Sequence, residues 1–299
     1  MKKILLIAAL CLTAAVLLCG CNTTTPGIPE KDPVDFQYTT YFLEDGEFVT
    51  LTKYVGEKTD VVVPAELDGL TVTEIGANCF AESAVVSVTV PDSVIVIESG
   101  AFSKCTALTS VTLPDKMLYV GPQAFAECSS LKEITLPSTG ITEYSWGMFI
   151  GAGVEKVTLR EGMEVLPPNF FLGSSLKEIT LPAGVKKIMQ GSLGGCKNLT
   201  SVTLNADLVT VDAGAFISSD ALTEIVIPAS VESLTEFAFV GCESLLKVKF
   251  EGNATTFKNT DETLASVYGG FVPKYTVYYH EGAEGFDADK WEGFTVELW

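Results

Sequence analysis

The chain has 299 residues, of which 19 are Lys or Arg and 38 are Asp or Glu, for a net charge of −19, and 47% of it is hydrophobic. Such a balance excludes a general nucleic-acid binder, whose phosphate contacts need Lys and Arg, and it excludes adhesion to anionic lipid by charge alone. Partners are expected to be neutral, cationic or locally basic.

The first residues, MKKILLIAALCLTAAVLLCGC, place Lys2 and Lys3 before an apolar run from Ile4 to Leu18 and end on Leu18-Cys19-Gly20-Cys21. This is the layout of a secretory signal, and the run is too short for a comfortable membrane span. Its last four residues resemble the bacterial lipobox. That resemblance implies cleavage before Cys21, lipidation of Cys21, and an exported protein whose contact with the bacterial envelope membrane is the lipid anchor; the alternative is an ordinary signal peptide cut nearby. Two or more acyl chains suffice for stable anchoring. Residues 1–20 are therefore assigned to the signal and 21–35, rich in Thr and Pro, to a tether. Loss of Lys2 and Lys3 leaves 17 basic against 38 acidic residues, a net −21.

Residues 36–63 contain two alternating runs around Asp45-Gly46, a hairpin signal, and are expected to cover the first coil of a repeat array. From 64 to 251 the chain repeats itself. Phe80, Phe102, Phe125, Phe149, Phe171, Leu193, Phe216 and Phe239 recur at intervals of 22 to 24 residues. Around each anchor lie apolar residues at −8 and −5, Ala or a substitute at −1, and an apolar-x-apolar triplet after it. Val111-Thr112-Leu113 alternates as a short strand does, with Thr112 outward. Pro91, Pro114, Pro137, Pro182 and Pro228 follow such triplets, where a missing N–H does least harm. GAFSKC, Gly100 to Cys105, has room for one or two helical turns. A single unit of this kind cannot bury its apolar side, whereas stacked copies share a core. The expectation is an α/β solenoid of eight repeats with a parallel strand ladder.

The unit LTSVTLPDKMLYVGPQAFAEC resembles the BspA-like, Treponema-type leucine-rich repeats. That resemblance implies a curved solenoid on a bacterial surface, in a family several of whose members adhere to host matrix proteins, epithelial cells or other bacteria, and which shares a scaffold more than a ligand. Residues 252–299, with a strand from Tyr275 to Tyr279 and a Trp and Phe cluster, are expected to form an irregular C-terminal cap.

Apart from Cys11, Cys19 and Cys21 there are five cysteines: Cys79, Cys105, Cys128, Cys196 and Cys242. The last four stand three residues after an anchor. Copies one, four and five are one residue shorter in this turn and carry the larger Cys79, Met148 and Phe170 just before the anchor, so the exchange reads as volume compensation in a packed interior. A disulfide between Cys105 and Cys128 is conceivable in an exported protein. Zinc is disfavoured by the absence of a CxxC pair and the single histidine, His280. No HExxH, GxSxG or Walker motif occurs, and GAGVEK lacks the third glycine of a dinucleotide loop. Asp287 and Asp289 have calcium-loop spacing without the remaining ligands. No cofactor, metal or catalytic site is expected. An enzyme acting on carbohydrate through surface carboxylates rests on no positive feature.

The register lists the outward positions of the ladder. One column is Thr89, Thr112, Thr135, Thr158, Thr180, Thr203, Val226 and Lys249; its neighbour is Ser87, Ser110, Glu133, Lys156, Glu178, Ser201, Glu224 and Lys247. Stacked threonines are what an exposed strand favours, and they also make a hydroxyl and methyl surface for a protein or glycan. Lys247 and Lys249 form a basic end. Tyr144 falls at the −5 core position. Trp146 falls at −3, where other copies place Gln190 and Glu236, and is expected to be exposed as a binding anchor. The functional expectation is a non-catalytic surface protein that binds a protein or glycan of a host or neighbouring cell, with a scaffold for other envelope proteins as the alternative.

Overall fold

The computed structural model describes residues 35–234, 237–254, 275–286 and 294–299; the leader, Cys21 and the tether through residue 34 lie outside them, as do Asp287 and Asp289. Within Asp35–Trp299 the chain winds as a β-solenoid in which most repeat coils contribute a front strand, a back strand and a tight corner around the anchor residue.

Front strands stack in parallel as three sheets among the described residues. The first comprises Asp60–Val62, Ser87–Thr89 and Ser110–Thr112; the second Glu133–Thr135, Lys156–Thr158, Glu178–Thr180 and Ser201–Thr203; the third Glu224–Ile227, Lys247–Phe250, Thr276–Tyr279 and Thr295–Leu298. The last two strands run parallel to their neighbours, so part of the expected C-terminal cap extends the ladder beyond the eight anchored copies. Back strands form a second ladder. It begins with the antiparallel hairpin Phe36–Leu43 and Gly46–Tyr54, turning at Asp45 as its sequence indicates, and continues through Leu70–Ile75, Val96–Ile97 and Tyr119–Val120. It resumes at Val165–Leu166 and runs to Ser233–Leu234.

No helix occurs among the described residues, so the helical part of the expected α/β class is corrected to a corner made of turns. Backbone dihedrals give the reason. The residue two before each anchor has positive φ, from +52° at Asn169 to +64° at Gly100, and so does the residue two after it, from +54° at Ser218 to +76° at Gly241. A left-handed residue on each side of the anchor ends a right-handed helix before it completes a turn. The same alternation aims every second N–H at the next coil. Gly100, Phe102 and Lys104 donate to Pro122 O, Ala124 O and Ala126 O at 2.9, 2.9 and 2.8 Å. The pattern repeats from coil to coil, so the corner is a third hydrogen-bonded ladder. Four residues at the −2 site (Asn78, Gln123, Asn169 and Phe237) reach this conformation without being glycine.

Inside the corner the anchors stack. Phe80, Phe102, Phe125, Phe149 and Phe171 lie face to face, with successive ring centroids 4.9, 5.2, 5.8 and 5.4 Å apart. Phe36 and Tyr54 from the hairpin meet Phe80 at the start of this column. Leu193 interrupts it, and Phe216 and Phe239 continue it at 5.3 Å. These rings are buried and supply the largest apolar areas of the core.

Candidate binding face

The cysteine column answers to packing and to a hydrogen bond. Cys105, Cys128, Cys196 and Cys242 are free thiols whose Sγ–H donates to the anchor carbonyl of the preceding coil: Phe80 O at 2.9 Å, Phe102 O at 3.0 Å, Phe171 O at 3.2 Å and Phe216 O at 3.0 Å. Ser219 makes the same bond to Leu193 O at 2.6 Å. The shorter copies retain this slot, filled by Ser83, Ala152 and Ser174, and shorten the chain after it. Buried Met148 and Phe170 then complement the smaller occupants.

Burial pushes the thiols of Cys128 and Cys196 up to about 12. A thiol whose folded value lies above its unfolded value, near 9, stabilises the fold fully below pH 9 and loses that contribution between about pH 9 and 12, because only the unfolded chain ionises there. Two results are expected: alkylating reagents label these thiols only after denaturation, and a Cys128→Ala, Cys196→Ala double variant shows a shallower fall of stability across that window. Rapid native labelling, or an unchanged pH slope, would contradict the geometry. These are structural thiols, unlike the low-pKa thiolates of catalytic sites.

The front face carries the outward columns in the expected register. Thr89 pairs with Thr112, Thr135 with Thr158, and Thr180 with Thr203, all exposed. Val62 precedes them and Val226, Lys249 and Tyr278 follow. In the flanking column, Glu133, Lys156, Glu178 and Lys247 are exposed. Several charges are paired between coils: Lys156 with Glu178 at 3.9 Å, Glu155 with Lys132 and Lys177, and Glu224 with Lys247 at 4.0 Å and Lys249 at 2.6 Å. At the expected basic end the single carboxylate of Glu224 is shared by Lys247 and Lys249, which leaves this group one net positive charge, and the ammonium of Lys249 also lies 4.8 Å from the centre of the Trp299 ring. His280, exposed after the strand Thr276–Tyr279, packs on Trp299 as well.

Trp146 lies off the front strands, just before the corner of the fourth copy, and is 43% exposed. Its neighbour overturns an expectation. Tyr144 is 67% exposed, and Ser145 is buried in its stead. The interval from Phe125 to Phe149, the longest of the series at 24 residues, accounts for the shift. Ser145 Oγ donates to Val120 O at 2.6 Å and accepts from Thr142 N–H at 3.1 Å, closing a turn where the other coils have a back strand. The gap in the back ladder therefore exposes two aromatic side chains together in sequence.

A family model described as BspA type leucine rich repeat region, in six copies, matches residues 65–175 and 164–261. The chain belongs to this family. Its members are repeat proteins that serve generally as protein-binding scaffolds, and the match is to no catalytic family. Among solved structures the chain is similar to a leucine rich repeat protein of T. pallidum, at 25% identity over 82% of this chain and 97% of that one, with a TM-score of 0.42. It is similar to one of Bacteroides capillosus at 33% identity over 41% of this chain and 94% of that one, TM-score 0.35, and to a leucine rich cell surface protein of Faecalibacterium prausnitzii at 18% identity over 89% and 98%, TM-score 0.32. Among curated proteins the chain has no match.

Proposed function

We propose that this BspA-type repeat protein is exported, lipid-anchored through Cys21 to the bacterial envelope, and binds a protein or glycan of a host or neighbouring cell without catalysis. The observation that carries this reading is the exposed front strip of Thr112, Thr135, Thr158, Thr180 and Thr203, flanked by Glu133, Lys156 and Glu178. A flat strand face offering hydroxyls, methyls and paired charges suits a broad macromolecular contact. Exposed Trp146 adds a residue type that dominates such contacts.

The test is binding of the protein, with Cys21 replaced, to an array of host matrix proteins, glycans and bacterial envelope extracts. A triple variant, Trp146→Ala, Thr135→Arg and Thr158→Arg, is run beside it after its folding has been checked by circular dichroism. Binding to a host component that the variant loses is the expected result. Binding only to envelope material of the same cell would replace adhesion with the scaffold reading, and equal binding by both proteins would move the site elsewhere.

A further inference from the structure

The hairpin strand Phe36–Leu43 is the last of its sheet, and among the described residues no strand pairs with its outer side. In an antiparallel pair the main-chain groups of successive residues alternate between the two sides. Opposite Thr40 and Tyr38 stand Val49 and Leu51, whose carbonyls are turned away from them: Leu51 O accepts from Gly76 N–H at 2.8 Å, and Val49 O lies 3.5 Å from the Thr73 hydroxyl. The N–H and C=O groups of Tyr38, Thr40 and Phe42 therefore point outward from the hairpin.

Open edges are usually guarded by charge, by proline or by a covering segment, because they template pairing with another chain. This one is unguarded. FQYTTYFL holds no charged residue and no proline, and Thr39, Thr40, Phe42 and Leu43 are exposed, Phe42 to 74%. Two of its side chains are already fixed: the Tyr38 hydroxyl donates to Asp68, and the Tyr41 hydroxyl lies 2.9 Å from Thr73 Oγ1. The edge is thus ordered before any partner arrives.

We propose that this edge pairs with the same edge of a second copy of the chain, about a two-fold axis at Thr40. An antiparallel partner related by an axis normal to the sheet sets Thr40 against Thr40 of the second copy, Tyr38 against Phe42, and Phe42 against Tyr38. All three pairs use outward main-chain groups, and the two aromatic pairs cover the exposed Phe42 ring. Symmetry selects a second copy over a foreign strand. The row Tyr38, Thr40, Phe42 reads aromatic, threonine, aromatic in either direction, so it meets its own complement.

Charge does not oppose the pairing, although each copy carries a net −19. Asp35, which falls opposite Asp45 of the second copy, is already paired with Lys58 at 3.0 Å. Asp60 and Glu66 belong to the first coil, set back from the edge by two strands, so they stand about five strand spacings, roughly 24 Å, from their counterparts and are screened. Such a contact is isologous and closes on itself, giving a dimer and no filament. Its seam, residues 37–43, is smaller than a standard interface, so dissociation in the micromolar range is expected. Both front faces then lie on one side of a joined back sheet, and a ligand of that face is bound twice over.

Sedimentation equilibrium of the protein with Cys21 replaced, up to about 100 μM, is the test. A reversible monomer–dimer equilibrium is expected. Thr40→Lys and Thr40→Glu each set like charges against one another at the axis and weaken the dimer by about tenfold or more at low salt, whereas an equal mixture of the two variants restores it. The main-chain groups of Thr40 make no bond within the hairpin, so neither change removes one, and recovery in the mixture shows that both variants are folded. A monomer at every concentration would return the edge to a strand of another protein and overturn the pairing. A dimer indifferent to both substitutions, or variants that stay monomeric when mixed, would overturn it as well. The binding array reports separately on the function proposed above: a monomer that binds there leaves that function standing, and a dimer that binds nothing there leaves the pairing standing.

Discussion

Gly153→Ala is expected to lower the unfolding free energy by about 3 kcal/mol or more, because a Cβ there would lie 1.9 Å from Ser129 O. The crowding has a structural origin. Copy four is one residue shorter after its anchor than copy three, so its chain cuts directly across the longer turn beneath it, and Gly153 N–H donates to Cys128 O at 3.0 Å. Neither partner in this contact is a flexible side chain, so relief requires moving backbone in two coils. Gly173→Ala is the control. That glycine has φ +69° with nothing within 4 Å of a new Cβ, and its replacement should cost only the left-handed strain, about 1 kcal/mol. Urea denaturation followed by far-ultraviolet circular dichroism separates the two. Equal losses would show that the close approach is absent in solution.

Phe125→Ala is expected to cost about 3–5 kcal/mol. Its ring is fully buried between Phe102 at 5.2 Å and Phe149 at 5.8 Å, so truncation opens a void inside a continuous stack. Coils communicate only with their neighbours, and a void in the middle weakens the coupling between the two halves. The signature is therefore a broadened or split unfolding transition as well as a lower midpoint. A loss below about 1 kcal/mol, or a midpoint shift with undiminished cooperativity, would contradict this account of the core.

Much of this fold is legible in the residues. The anchor spacing marks the stack from Phe80 to Phe239, and the apolar-x-apolar triplets place Thr112, Thr135 and Thr158 outward. Side-chain period carries both signals. Main-chain conformation leaves a weaker trace: GAFSKC is short enough for a helical turn, and only Gly100 hints at the left-handed residues that prevent one, since Gln123 and Phe237 adopt the same φ without glycine. Tyr144 is displaced by an inserted residue whose location the spacing alone does not give. The ladder breaks are harder still, because LTSVTL and LKEITL fit one side-chain pattern while differing in whether the following coil bonds to them. The thiol bonds to anchor carbonyls depend on the corner geometry and have no signature beyond the recurrence of Cys and Ser three residues after the anchor.

The corner bonds run on past both breaks of the front ladder, after Thr112 and after Thr203, and that difference gives the solenoid a mechanical grain. The corner acts as a spine of nearly fixed length, while the front is divided into three stiff plates meeting at two unbonded joints. Bending that spreads or closes the plates breaks no existing front-ladder bond at those joints, whereas bending at any other coil must rupture hydrogen bonds. Compliance is therefore concentrated at two places along the chain, both marked by the same hexapeptide, LTSVTL, and a load applied across the front face would be taken up there first.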